Sequence, residues 1–226
     1  WDDGGMSDAA DLPDLDDATV LWSAGADERA GRPLLVMLHG YGADEHDLFG
    51  LAAFLPDQYV IAALRAPLAP PWPAPGYSWY PIDGIDGRDA SGVTAAAERL
   101  LAWVEAHAPA PARVGLLGFS QGASVALQAL RCAPDRFAFA VNLSGYVAPG
   151  ALDHDEELAA RRIPVFWGRG TRDDVIPPYL VAHTAQWLPD HADLSGRVYV
   201  GLTHSVSEQE LDDVRTFLEK RLADPS

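Results

Sequence analysis

The stretch "GLLGFSQGAS", Gly115–Ser124, places a serine between two glycines, after an apolar run and before an alanine-rich one. The preceding run Ala112–Phe119 has the composition of a strand, and the following run Gln121–Cys132 that of a helix. The core, Gly118–Gly122, matches the pattern G-x-S-x-G, in which a tight strand-to-helix turn favours glycine on both sides. The alternative is an ordinary βα turn without chemistry. The strand and helix around it favour a turn that projects Ser120 Oγ beside a helix N-terminus, where backbone N–H groups can receive an anion.

Strand-like and helix-like segments alternate along the rest of the chain. Further strands are predicted at Thr19–Ser23, Pro33–Gly40, Tyr59–Leu64, Phe137–Gly145, Ile163–Gly170 and Gly196–Leu202. Further helices are predicted at Asp44–Leu55, Ser91–Ala108, Pro178–Leu188 and Ser207–Leu222. Several strands are continuously apolar, which is typical of a mostly parallel sheet covered on both faces. The sequence therefore predicts an α/β domain with helices on both faces of a central sheet.

Two segments interrupt this alternation. Residues 66–88 form a stretch rich in proline and aromatic residues, too broken for regular structure. Residues 147–162 form a polar excursion between two strands, for which the alternatives are a surface helix and a small cap.

The length of 226 residues fits a single domain with a substantial core, which we assign to residues 19–226. Residues 1–18 are predicted to be an acidic N-terminal extension. Within it Met6 is a candidate native start, which would make the five preceding residues an addition. The extension lacks the basic and apolar regions of a secretory signal, and no apolar run approaches the length of a transmembrane helix.

The formal net charge of −17 restricts the expected partners. Such a surface repels nucleic acid and anionic lipid, so we expect no nucleic-acid partner and no stable membrane association. Neutral or cationic small molecules are the easier substrates, although the charge could equally serve solubility or salt tolerance. Cys132 is the single cysteine and excludes an internal disulfide, which fits a cytoplasmic location.

A serine nucleophile needs a base and an acid, and both have candidates after later strands. When a serine follows a strand in this way, the usual chain order is serine, acid, histidine. The last histidine of the chain is His204, in "GLTHSVS", and the acid falls in "GRGTRDDVIP", as Asp173 or Asp174. All of these follow strands and so belong to the same edge of a parallel sheet as Ser120. His39 also follows a strand, but it precedes the serine, and we interpret it as shaping its loop.

An oxyanion formed at such a serine needs two N–H donors. The N–H of Gln121, directly after the serine, is the first candidate. The glycine-rich loop "HGYG", His39–Gly42, supplies the second, for which we choose the N–H of Tyr41.

Three other interpretations compete. Asp44, His46 and Asp47 could be metal ligands, but acidic residues are expected at a helix start and no second ligand cluster accompanies them. A nucleotide-binding module is disfavoured because "GYGADE" breaks the G-x-G-x-x-G pattern at its last position. A non-catalytic binding protein is disfavoured because all three kinds of triad residue are present at suitable places.

Four blocks of the sequence resemble the phospholipase/carboxylesterase family of α/β-hydrolases, which includes acyl-protein thioesterases. They are "LHGYGADEHDL", "GFSQGA", "GTRDDVIP" and "GLTHSVSEQE", which together extend from about Leu35 to Glu210. The resemblance implies an α/β-hydrolase fold with a minimal cap and a serine hydrolase that needs no cofactor or metal. Dimers are common in the family, so a homodimer is an open alternative.

The resemblance also selects residues for the site. The family aspartate lies before a Val/Ile-Pro pair in a register that selects Asp173 over Asp174, and the family histidine precedes a serine, as His204 does. Trp79, at the end of the proline-rich loop, and Ile176 are expected to contact the substrate. The family's oxyanion loop varies, so the resemblance selects Gln121 more strongly than Tyr41.

The implied activity is hydrolysis of short- to medium-chain carboxylic esters through an acyl-enzyme and a Ser-His-Asp triad. Acyl-protein thioesterase or lysophospholipase activity on longer acyl chains is the alternative. Aromatic side chains near the expected entrance favour hydrophobic acyl groups: Trp72, Tyr77, Trp79 and Tyr80. We expect at least two of these four to pack beneath the loop instead.

Overall fold

The structure is a computed structural model that describes residues 12–82, 90–108 and 112–223. Residues 1–11 of the predicted N-terminal extension and residues 83–88 of the predicted loop lie outside the described residues. The five residues before Met6, which the sequence analysis gives as a possible addition, are therefore also outside the described residues.

Seven strands and six α-helices alternate along the described chain. The strands are β1 Leu21–Trp22, β2 Leu34–Leu38, β3 Val60–Leu64, β4 Val114–Phe119, β5 Phe139–Leu143, β6 Pro164–Gly170 and β7 Asp193–Tyr199. The helices are α1 Glu45–Phe49, α2 Ala90–His107, α3 Gln121–Cys132, α4 Asp155–Arg161, α5 Pro178–His191 and α6 Glu208–Ala223. None of these helices is long and apolar enough to cross a membrane.

The strands form one sheet in the order β1-β3-β2-β4-β5-β6-β7. Strand β1 is antiparallel to β3, and every other pairing is parallel, as the apolar strands predict. The order reverses at β2, because β3 lies on one side of it and β4 on the other. Loops that leave the carboxyl ends of β2 and β4 therefore meet at the point where such sheets usually bind ligands.

Apolar side chains cover both faces of the sheet. On one face, alternate residues of β2, β3 and β4 pack with α2 and α3, and Trp167 of β6 belongs to the same cluster. On the other face, the remaining strand residues pack with α1 and α6, including Phe217 against Phe166 at 5.8 Å between ring centroids. Helices on both faces of a mostly parallel sheet give the three-layer α/β architecture that the sequence predicts.

Most elements differ from their predicted bounds by up to three residues at an end, and two differ most. Helix α1 ends at Phe49, before Gly50, and a short 3-10 helix at Ala52–Phe54 replaces the predicted continuation. Strand β7 begins at Asp193, three residues before the predicted start at Gly196. It lies at the edge of the sheet and is largely exposed, so its first residues need no apolar pattern to belong to a strand.

The polar excursion of residues 147–162 contains one short helix, α4, which packs against α3 and α5. The surface-helix alternative is therefore the one the structure adopts. Arg131 of α3, which is 1% exposed, binds this segment. Its Nε and Nη2 each donate a hydrogen bond of 2.8 Å to an oxygen of Asp155 in α4. Because a bidentate guanidinium–carboxylate pair fixes both partners in one plane, it ties the excursion to the body of the domain.

Residues 12–18, assigned from the sequence to the extension, pack against α2. Leu12 is 6% exposed, and its carbonyl oxygen accepts a hydrogen bond of 2.9 Å from Arg99 Nε. Asp17 Oδ1 accepts one of 2.8 Å from Trp103 Nε1. The boundary expected at residue 18 therefore does not mark where packing against the domain begins.

Candidate active site

Ser120 lies in the turn between β4 and α3 with φ 53° and ψ −117°, a backbone conformation that non-glycine residues rarely adopt. The flanking glycines allow this turn. A Cβ on Gly122 would lie 2.1 Å from the carbonyl oxygen of Leu38, and one on Gly118 would lie 2.4 Å from the backbone nitrogen of Ala123. The pattern G-x-S-x-G therefore reflects close approach of β2, β4 and α3 at this point.

The side chains of Ser120, His204 and Asp173 are hydrogen-bonded in series. Ser120 Oγ lies 2.8 Å from His204 Nε2, and His204 Nδ1 lies 2.8 Å from Asp173 Oδ2. They come from the turns after β4, β7 and β6, all at the carboxyl edge of the sheet. The structure thus brings together three residues that lie up to 84 positions apart in the sequence.

Asp173, and not its neighbour, contacts the histidine. Its Oδ1 accepts hydrogen bonds from the N–H groups of Val175 at 3.0 Å and Ile176 at 3.2 Å, which leaves Oδ2 for His204. The Asp173 side chain is 7% exposed, whereas Asp174 is an exposed residue. The turn at Val175 and Ile176 therefore places Asp173, and not Asp174, against His204.

The His204 ring is held on a second side by Phe119, whose ring centroid lies 4.9 Å away. Only 15% of the His204 side chain is exposed. Because the carboxylate accepts at Nδ1, that nitrogen carries the proton and Nε2 is free to accept from the serine. This arrangement places an unprotonated ring nitrogen against Ser120 Oγ.

The two expected oxyanion donors lie on adjacent loops. Leu38 pairs with Gly118 across β2 and β4, so the loop after β2 adjoins the turn at Ser120. In the described part of the chain, no acceptor is bound to the N–H of Tyr41 or of Gln121. Gln121 is the first residue of α3, where the helix leaves its N–H groups unpaired.

The side chain of Gln121 has a separate structural role that sequence reasoning missed. Its Oε1 accepts from the N–H of Trp79 at 2.8 Å, and its Nε2 donates to the carbonyl oxygen of Tyr80 at 2.8 Å. Gln121 Nε2 also lies 3.1 Å from Ser78 Oγ. The amide thus fixes the end of the proline-rich loop against the start of α3. A polar residue at this buried helix position was the available signal.

His39 is a structural histidine. Its Nε2 accepts from the N–H of Ala66 at 3.0 Å, so its Nδ1 carries the proton that is donated to the Gly40 carbonyl oxygen at 2.7 Å. Burial lowers the pKa of His39, which keeps the ring neutral. The interpretation that His39 shapes its loop agrees with these contacts.

Trp79, which the sequence analysis expects to contact the substrate, is a buried residue. Trp79 is 0% exposed, and its Nε1 donates to the carbonyl oxygen of His39 at 2.8 Å. It lies beneath the loop as a packing residue, as does Tyr80 at 1%. Trp72, in contrast, is 93% exposed. The family pattern places Trp79 in the correct loop, but the pattern does not specify which way the ring turns.

Ile176 is 5% exposed and packs with Tyr146 and Leu180. It also lines a cavity of about 310 Å³, whose wall includes Asp173. Its N–H is one of the two that hold Asp173 Oδ1. The structure thus places Ile176 next to the aspartate, with its side chain at a cavity on that side.

The candidate metal ligands at the start of α1 are occupied by protein contacts. Asp44 Oδ1 accepts from the N–H of His46 at 2.9 Å and so caps the helix. Glu45, 2% exposed, forms a bidentate pair with the guanidinium of Arg65, with 2.6 Å between Nε and Oε2. Ligand atoms of Asp44, Glu45 and His46 lie within 4.8 Å of one another, but Asp47 is not part of that group. Helix capping and this ion pair account for the acidic residues.

The turn after β5 is a second feature that the sequence analysis did not single out. Ser144 has a φ of 51°, and its N–H donates to the carbonyl oxygen of Gly168 at 2.8 Å. The Oδ1 of Asn142 accepts from the N–H of Gly145 at 2.7 Å. A Cβ on Gly145 would lie 2.9 Å from the carbonyl oxygen of Ser120. The dipeptide Ser144-Gly145 directly after a buried strand was the signal that could have identified this turn.

The sheet, the strained serine turn and the loops that meet beside it define the α/β-hydrolase fold. Residues 24–222 match the family model described as Phospholipase/Carboxylesterase. The chain therefore belongs to the phospholipase/carboxylesterase family, whose members are hydrolases that act on esters.

Individual relatives agree with this assignment. The chain is 32% identical over 117 residues to acyl-protein thioesterase 1 of Saccharomyces cerevisiae, covering 50% of this chain and 52% of that protein. It is 27% identical over 222 residues to acyl-protein thioesterase 1 of Cryptococcus neoformans, covering 83% and 92%. The crystal structure of esterase PE8 superposes with a TM-score of 0.72 at 30% identity, covering 84% and 93%. The chain spans only about half the length of the acyl-protein thioesterase 1 proteins of Saccharomyces cerevisiae, Kluyveromyces lactis and Eremothecium gossypii.

Proposed function

We propose that the protein is a serine carboxylesterase that hydrolyses short- to medium-chain carboxylic esters. The observation that carries the proposal is the series of two 2.8 Å hydrogen bonds that joins Ser120, His204 and Asp173. Membership of a family of ester hydrolases supports the class of reaction.

In the acylation step, Ser120 Oγ attacks the ester carbonyl carbon. His204 Nε2 accepts the serine proton and then donates it to the leaving alcohol. Asp173 accepts the Nδ1–H bond, orients the ring and stabilises its positive charge in the transition state. The carbonyl oxygen, which becomes negative, receives hydrogen bonds from the N–H groups of Tyr41 and Gln121. Each such donor typically contributes about 3–4 kcal/mol to the stability of the transition state.

In the deacylation step, water attacks the acyl-serine. His204 removes a proton from the water, and the same two backbone donors stabilise the second tetrahedral intermediate. When that intermediate collapses, the proton returns to Ser120 Oγ and the carboxylic acid leaves. Every group used belongs to the chain, so the reaction proceeds without a cofactor or metal in this proposal.

Acyl-protein thioesterase or lysophospholipase activity on longer acyl chains is the second candidate. The relatives named acyl-protein thioesterase 1 favour this second candidate, because their name gives a thioester as the substrate. The same residues would serve, because a thiolate leaves more readily than an alkoxide. The net charge of −17 favours neutral substrates over anionic lipid surfaces.

Acyl-chain length separates the two candidates. We would measure kcat/KM for p-nitrophenyl esters from acetyl to palmitoyl, and for palmitoyl-CoA as a thioester, with Ser120→Ala as the control. The carboxylesterase proposal predicts a maximum at short or medium chains, with activity lost in the control. Activity confined to the longest chains and the thioester would replace it with the second candidate.

The proposal extends to the setting of the enzyme. We propose that it acts in the cytoplasm on small-molecule esters, without nucleic acid or stable membrane association. The single Cys132 and the acidic surface support this setting. A homodimer is compatible with it, and sedimentation analysis distinguishes a monomer from a dimer.

A further inference from the structure

A cavity of about 310 Å³, whose wall includes Asp173, lies between β6 and helix α5. Its size is at the small end of the range of small-molecule sites, about 300–1,000 Å³. Residues from the turns after β5 and β6 close it, and small side chains of α5, such as Ala182 and Ala185, leave the space open. The hydrolytic steps proposed above use no polar group of this cavity except Asp173.

Three polar side-chain groups in the wall of the cavity lack partners. Ser144 Oγ, Trp167 Nε1 and Arg169 Nε are buried and have no hydrogen-bond partner among residues 12–82, 90–108 and 112–223. Ser144 is 2% exposed and Trp167 is 6% exposed. Buried polar groups are nearly always paired, so three unpaired groups around one cavity point to a missing partner. The indole and guanidinium nitrogens can only donate, so that partner must accept hydrogen bonds.

Arg169 gives the cavity a positive charge. Its guanidinium lies 5.5 Å from the centroid of the Trp167 ring, and it forms no ion pair with any described residue. Asp173, the carboxylate of the wall, is already bound to His204 and to two backbone N–H groups. An unpaired arginine inside a chain of net charge −17 is therefore available to an external anion.

Strand geometry directs these groups to the same side. Phe166 and Gly168 face helix α6, where Phe217 and Glu210 contact them. Trp167 and Arg169 alternate with those residues and so face α5. Two strand spacings, about 10 Å, separate β6 from β4, whose end carries Ser120. A ligand held at Arg169 therefore lies within the length of a small molecule from the serine.

We propose that this cavity binds the carboxylate group of a small organic acid, with Arg169 as the charged partner and Trp167 Nε1 and Ser144 Oγ as further donors. The strained φ of 51° at Ser144 fits such a role, since backbone strain is concentrated at functional sites. The carboxylate has two possible sources, an ester substrate that carries a second acid group or a separate free acid. The substrate source rests on the proposed esterase function, whereas binding of a free acid does not.

Binding is tested without turnover. Glutarate would be titrated into the Ser120→Ala chain by calorimetry, with neutral glutaramide as the matched ligand. We expect glutarate to bind at least about tenfold more tightly than glutaramide, as a charge-assisted hydrogen bond implies. Arg169→Met should abolish this difference, whereas Arg172→Met, an exposed arginine three residues away, should preserve it.

Two further variants keep the test decisive if Arg169→Met fails to fold. Trp167→Phe retains the ring but removes the N–H, and should weaken glutarate binding about three- to tenfold. Arg169→Lys retains the charge but loses the planar fork, and should give an intermediate affinity. Equal binding of glutarate and glutaramide, or an equal loss in Arg169→Met and Arg172→Met, would overturn the proposal.

Kinetics on the active chain identify the source of the carboxylate. A substrate source predicts that the mono-p-nitrophenyl ester of glutaric acid has a higher kcat/KM than p-nitrophenyl valerate, and that Arg169→Met removes only this preference. A separate acid predicts glutarate binding with no such preference. A chain that hydrolyses no ester but binds glutarate through Arg169 would refute the proposed function and leave the cavity assignment intact.

Discussion

Asp173 and Asp174 are adjacent identical residues with different surroundings. The N–H groups of Val175 and Ile176 hold one oxygen of Asp173, which fixes the other oxygen against His204 Nδ1. Asp174 is exposed and lies outside this series of hydrogen bonds. One position along the chain therefore separates a carboxylate bound to His204 from a carboxylate at the surface.

The comparison of Asp173→Asn with Asp174→Asn tests this difference. An amide at Asp173 can no longer accept the Nδ1–H bond with full charge and favours the wrong histidine tautomer. We expect kcat to fall by about 10⁴-fold, the size known for the equivalent change in a serine protease triad. Asp174→Asn should change kcat less than about threefold, as expected of an exposed group. Steady-state kinetics on a p-nitrophenyl ester would show the reverse ranking if Asp174 were the acid.

At the scale of elements, the site depends on how closely β2, β4 and α3 approach one another. The glycines at positions 118 and 122 leave no room for a Cβ against backbone atoms that cannot move aside. The same approach brings the loop after β2 to the start of α3, where the two proposed oxyanion donors lie. Packing of the elements and geometry of the site therefore have one common cause.

Gly122→Ala should damage both the packing of these elements and the geometry of the site. The new Cβ would meet the Leu38 carbonyl oxygen at 2.1 Å, so β2 and α3 must separate. We expect a loss of at least about 2 kcal/mol in the free energy of unfolding, together with a large fall in kcat/KM. Gly196→Ala is the control, because its nearest neighbours lie 3.9 Å away. Denaturant unfolding in which the two variants behave alike would refute the steric explanation.

At the scale of the whole molecule, one buried carboxyl group opposes stability at neutral pH. Glu210, at the start of α6, is 0% exposed and forms no ion pair with any described residue. Burial raises its pKa to about 7, and the charge of Asp213 adds to the increase. Between its ordinary pKa of 4.5 and about 7, the folded state keeps the proton and the unfolded state loses it.

Stability should therefore decrease as pH rises through this interval. The folded state binds more protons there, so the free energy of unfolding falls with pH. Glu210→Gln removes the titration, and its stability relative to the parent should increase by about 2–3 kcal/mol from pH 5 to pH 8. Urea unfolding at several pH values measures this difference. A difference that stays constant with pH would show that Glu210 does not titrate in this range.

The sequence predicted most of the fold because its signals are local. Gln121–Cys132 has the bounds of the predicted helix, and the apolar strands are parallel as expected. The exposed edge strand β7 was misplaced because it carries no apolar run. The candidate triad was accessible because its residues follow strands in a fixed order. The burial of Trp79 and the cavity at Arg169 could not be predicted from the sequence, since both depend on packing between distant segments.

The most direct test of the central claim is covalent labelling of the nucleophile. The protein would be treated with a fluorophosphonate, and the adduct would be located by peptide mass spectrometry. The account predicts a single adduct on Ser120 that forms in the parent, is absent in Ser120→Ala and forms much more slowly in Asp173→Asn. An unlabelled parent, or an adduct on another residue, would contradict the assignment of Ser120 as an activated nucleophile.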